Sequence, residues 1–192
     1  MKTRIISIIA AGLMLAIQPL AMAQHEHHGN MNMDQSSMKQ AHYQVSEAFQ
    51  KQMSTLYETY INLKDALVSS NPTMAAERAT MMKKQLGKVD MNLLEGEAHK
   101  AWMDHEISMT NQLTTMATSS SLESQRAVFA QLSETMYQCL KSFGMQGMKA
   151  YYQFCPMAMH GAGAHWLSAT EEIKNPYFGD KMMKCGKTVE KF

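Results

Sequence analysis

YQVSEAFQKQMSTLYETYINLKDAL, residues 43–67, decides the fold class. Val45, Phe49, Met53, Leu56, Tyr60, Leu63 and Leu67 follow one another at steps of three or four, so they line one stripe of an α-helix of about six turns. Ser69, Ser70 and Asn71-Pro72 end it; Asn71 suits an N-cap and Pro72 the first position of a next helix. Ala75, Ala79, Met82, Leu86, Val89 and Leu93 repeat the spacing and predict a second helix running to a break at Gly96. Ala98, Trp102, Met109, Leu113 and Met116 predict a third. Ser120-x-x-Glu123 reads as a capping box for a fourth, with Leu122, Phe129, Leu132, Met136, Leu140 and Phe143 on its stripe and Gly144 as its stop. Four amphipathic helices with short links predict an all-α, up-and-down four-helix bundle. Met53, Met82, Met116 and Met136 fall on the stripes and read as core, and Cys139 adjoins the fourth stripe as a small buried hydrophobe.

Upstream of the helices, Lys2 and Arg4 precede the apolar run Ile5–Leu15, Pro19 and the small-residue site Ala21-Met22-Ala23. This is the pattern of a secretory signal peptide, residues 1–23, cleaved after Ala23, and it predicts a periplasmic product with no membrane attachment after cleavage. The net charge of +1 over 192 residues supplies no basic field for nucleic acid. The composition is unusual in holding 21 Met and 8 His, more thioether than core packing calls for. Residues 24–42, QHEHHGNMNMDQSSMKQAH, have no apolar period and are expected to be a disordered tail. That tail carries His25, His27 and His28, then Met31, Met33 and Met38, then His42. Imidazole suits Cu(II), thioether selects Cu(I) or Ag(I), and a tract with both suits copper in either oxidation state.

Downstream of Gly144, Gly, Pro and aromatic residues alternate, which predicts an irregular segment folded onto the bundle, making 43–192 one domain. A second capping box, Ser168-x-x-Glu171, predicts a short helix before Asn175-Pro176. Cys155, Met157, Met159, His160, His165, Met182, Met183 and Cys185 lie within this segment. Thiolate, thioether and imidazole together form a donor set for Cu(I) or Ag(I), with Cys155 and Met157 on one face of an extended stretch and Cys185 closing the site. Two Cys-x-x-Cys elements, as a zinc site would use, are absent from the sequence. The other reading of Cys155 and Cys185 is a disulfide that staples the segment, with a loop of about 30 residues worth roughly 3–4 kcal/mol. On the third helix His99 and Met103 stack at i, i+4, beside Trp102, and form a weaker candidate pair. No Gly-x-Ser-x-Gly, phosphate-binding Gly-rich loop or His-Glu-x-x-His occurs, so a non-enzymatic role is expected.

Tyr152-x-x-Cys155-Pro156-Met157, Trp166-Leu167-Ser168, Glu172-Ile173-x-Asn175-Pro176-Tyr177-Phe178-Gly179 and Met183-x-Cys185-Gly186 resemble a poorly characterised exported domain. That domain occurs alone and fused to the periplasmic adaptor subunits of copper/silver efflux pumps of the resistance-nodulation-division type. Leu63-Lys64-Asp65-Ala66-Leu67 and Arg126-x-x-Phe129-x-x-Leu132-Ser133 extend the resemblance to about residues 50–190. The resemblance implies a periplasmic helical domain tied to copper or silver handling, with an efflux adaptor as the partner. His160, His165 and the His/Met-rich leader are additions to its pattern.

Overall fold

The computed structural model describes residues 42–192. The expected signal peptide and the tract bearing His25, His27, His28, Met31 and Met33 lie outside the described residues.

The described chain is mostly helical. Ser46 opens α1 (Glu47–Val68) by accepting the Phe49 N–H, so Tyr43 and Val45 precede the helix rather than belonging to it. Asn71 caps α2 (Pro72–Leu86) by accepting the Met74 N–H, with Pro72 in the first turn as its locked φ favours. That helix ends three residues before Val89. Val89 and Leu94 are buried from a connecting stretch that contains the 3-10 turn Met91–Leu93, so the spacing ran on past the end of the helix. α3 (Gly96–Thr118) and α4 (Leu122–Phe143) follow. The cap of α4 is Ser121, which accepts the Ser124 N–H; the capping box at Ser120 is off by one residue. Gly144 stops α4 at φ +71°. Each helix packs on the next, and α1 also meets α4. Met53, Met82, Met109, Met116, Met136 and Cys139 are fully buried between them.

The segment after α4 is not irregular. β1 (Tyr151–Cys155), β2 (Ala164–Ser168) and β3 (Lys187–Lys191) form an antiparallel sheet in the order β2-β1-β3. The expected short helix after Ser168 is absent. Ser168 ends β2, and its hydroxyl accepts the Thr170 N–H in a local turn that competes with helix formation. The sheet meets the helices through α4, against which β2 packs. Tyr60, fully buried on α1, holds the contact: its hydroxyl accepts the Leu167 N–H of β2 at 3.1 Å and lies 2.7 Å from the Ser133 hydroxyl of α4. Tyr60→Phe leaves a buried strand N–H unpaired, so it is expected to cost about 1–3 kcal/mol in urea unfolding. A loss below about 0.5 kcal/mol, the size of an ordinary surface change, would mean that Leu167 finds another acceptor.

Glu190 ties β3 to α4 by accepting from Lys141 Nζ and from the Tyr137 hydroxyl, each at 2.7 Å. Burial pushes its pKa up, but these two hydrogen bonds outweigh burial and hold it below the ordinary carboxylate value. A carboxylate depressed in the folded state contributes stability above its unfolded pKa and loses that contribution as pH falls through the folded value. Melting temperature is therefore expected to fall below about pH 4.5, with a shallower fall in Glu190→Gln. Parallel curves for the two proteins would assign the acid sensitivity to other groups.

Candidate metal centre

Cys155 closes β1, and Cys185 lies two residues before β3, which pairs with β1 at Phe154 and Lys187. The strand pairing thus carries together two thiols 30 positions apart, with their sulfurs at 2.9 Å. Both thiols are free; Cys155 is fully buried and Cys185 half-buried. The Cys155 thiol, then burial, push the Cys185 pKa up, while the Met157 N–H directed at the Cys185 sulfur works in the opposite direction.

The Cys185 loop is held by Asn175, a fully buried side chain whose role the sequence reading missed. Its Nδ2 donates to the Cys185 carbonyl at 2.8 Å, its backbone N–H to the Met183 carbonyl at 2.9 Å, and its Oδ1 accepts the Tyr177 N–H at 2.8 Å. Gly186 lets the same loop lie flat on the sheet. At its φ of +145°, a Cβ would stand 2.7 Å from Trp166 Cη2 and 3.0 Å from the Phe154 carbonyl. Arg126 braces the approach to this loop, donating to the Pro176 carbonyl at 2.7 Å and to the Leu67 carbonyl at 3.1 Å. The only sequence signal for Asn175 and Arg126 was their place in the resembling stretches.

Among the described residues, Met157, Met159 and His160 gather in a groove apart from the thiols. Cys155 and Met157 do not share a strand face as expected, because β1 ends at Cys155 and Pro156 begins a turn. Met157 instead stands 54% exposed and, with Met159 and His160, lines a groove of about 590 Å³ floored by Tyr177 and Phe178. Cys155 and Cys185 do not line that groove. Met159 and His160 have φ of +50° and +57°, left-handed positions that cost a non-glycine residue of order 1 kcal/mol each and that cluster at functional sites. Met183 meets Asn175 through its backbone. His165 sits on β2 with its ring stacked on Tyr152 at 4.6 Å and tilted against Phe154 at the same distance, a packed position rather than a ligand's. Met103 is 43% exposed on α3, and the half-buried His99 has its Nε2 buried without a hydrogen-bond partner. Among the described residues, no three His, Cys, Asp or Glu side chains come together as a metal cluster. The arrangement is a two-thiol site beside a thioether–imidazole groove, joined through Met157.

Residues 56–147 are similar to a family described as a protein of unknown function (DUF3347). The match runs from within α1 to just past α4 and supports an uncharacterised helical domain there; it stops before β1 and both thiols. No curated protein and no solved structure matches the chain. No described helix is long and apolar enough to cross a membrane.

Proposed function

We propose that this protein binds Cu(I) or Ag(I) in the periplasm, buffering the ion or passing it to a heavy-metal efflux system. The helices, read as an up-and-down four-helix bundle, serve as the scaffold and carry no catalysis. The carrying observation is the approach of Cys155 and Cys185 to 2.9 Å beside Met157, Met159 and His160. Paired thiolates take a soft ion in two-coordinate geometry once their sulfurs part to admit it, and the groove lined by Met157, Met159 and His160 gives an exchange path for capture and release. The exposed Met157 is the natural point of entry. Support for the compartment and the efflux partner comes from the leader sequence and from the resemblance at Cys155-Pro156-Met157 and Met183-x-Cys185-Gly186.

The same 2.9 Å approach favours a second reading, in which Cys155 and Cys185 oxidise to a disulfide and the domain is an interaction module without metal. Thiol titration of protein unfolded without reductant separates the two. Three reactive thiols, together with stoichiometric Cu(I) retention against a chelator, support the metal reading. One reactive thiol and no retention after reduction support the staple.

A further inference from the structure

A second cavity, of about 310 Å³, opens at the C-terminal end of α4, on residues that the thiol site does not use. His42, Met145 and Met148 line it together with Leu140, Lys141 and Phe192. Each of its walls is fixed. The Tyr43 N–H donates to the Ser142 carbonyl at 2.7 Å and the Tyr43 ring stacks on Phe143 at 5.4 Å, which seats His42 against the helix end. The Ser54 hydroxyl of α1 donates to the Gln146 carbonyl at 2.8 Å and accepts the Gln146 N–H at 3.0 Å, pinning the chain between the two methionines. The Phe192 N–H donates to the Ala150 carbonyl and closes the far side. Met145 and Met148 are half-buried, whereas the His42 ring is exposed.

We infer that His42, Met145 and Met148 form a second soft-metal site, a thioether–imidazole site for Cu(I) or Ag(I) with no thiolate. Two thioethers and one imidazole select a soft monovalent ion over zinc or magnesium. The cation in the cavity wall, Lys141, is already neutralised by Glu190 at 2.7 Å, and the C-terminal end of α4 favours positive charge. Because its donors carry no thiol proton, the site holds the ion without proton release from a thiol. In sequence the His/Met-rich tract ends at His42, so the last of its imidazoles lies at this cavity. The inference rests on the proposed role in soft-metal handling but not on the Cys155–Cys185 site.

Ag(I) titration of the full-length chain carrying Cys155→Ser and Cys185→Ser, followed by methionine-methyl NMR, tests it. The Met145 and Met148 methyls, assigned by Met145→Leu and Met148→Leu, are expected to shift together with the His42 ring. His42→Ala should raise the Ag(I) concentration for half-shift at least about tenfold, since even outer-shell losses cost 10–100-fold. The Met53 methyl, in the core, should stay still and report that the variants are folded. If the chain with its thiols intact retains Ag(I) while the Met145 and Met148 methyls do not move, this site is overturned and the proposed function stands. If neither protein retains Ag(I), both fail. Shifts of Met145 and Met148 that His42→Ala leaves unchanged would overturn the three-ligand site.

Discussion

Cys155→Ser is expected to lower Cu(I) affinity near neutral pH by more than about 100-fold, since the loss of a residue that only orients a ligand already costs about 10–100-fold. The effect should be this large because Cys155 is fully buried at the end of β1 with its sulfur 2.9 Å from that of Cys185, whereas Met157 turns outward into the groove. Binding to two thiolates must release protons, so wild-type affinity should weaken as pH falls. Met157→Leu alters a side chain that lines the groove rather than the thiol pair, so it should slow exchange of the ion with a chelator and leave the affinity within a few-fold of wild type. Cys139→Ala should leave the metal untouched, because that thiol lies in the helical core, where burial pushes its pKa well above the ordinary value. The measurement is a competition titration against a Cu(I) chelator on reduced proteins. Wild-type affinity in Cys155→Ser would end the metal reading at this position. The staple reading would then require Cys155→Ser and Cys185→Ser to lower the melting temperature equally, and the double variant to add nothing.

Phe129→Ala should have the largest effect on folding, about 3–5 kcal/mol. Phe129 is fully buried on α4, stacks on Tyr60 of α1 at 5.2 Å and meets Tyr177 of the C-terminal segment at 6.0 Å. Removing the ring opens a cavity where α1, α4 and the loop leading to Cys185 converge, so three parts of the chain lose contact at once. At about 2–4 °C per kcal/mol for a domain of this size, the melting temperature should drop by roughly 10 °C. Met136→Leu, equally buried on the same helix, should cost under about 1.5 kcal/mol because volume is nearly conserved. A loss at Phe129 no larger than that at Met136 would mean that the surroundings collapse to fill the space and that Phe129 does not join α1, α4 and the loop.

The sequence by itself determined the four helices and most of their buried faces. The period of 3.6 is a local property, so Phe49, Met53, Leu56, Tyr60, Leu63 and Leu67 could be placed on one face without knowing what covered it. The short-range stops at Asn71-Pro72 and Gly144 were legible for the same reason. Local spacing misled at Val89, which is buried from a loop, and the Ser168-x-x-Glu171 pattern misled because the Ser168 hydroxyl closes a turn at the end of β2. The sheet was decided only by the tertiary structure. Its strands are five residues long, with alternation too short to read, and β1 finds β3 across more than 30 positions. That pairing, fastened by Asn175 and admitted by Gly186, is what carries Cys155 to Cys185. The sequence could assemble the donor types for a soft ion, because ligand chemistry is a property of single residues. It paired Cys155 with Cys185, but it could not set Met157, Met159 and His160 apart in their own groove or bring His42 to Met145 and Met148. Which donors meet depends on contacts between distant parts of the chain, and no short window of sequence contains them.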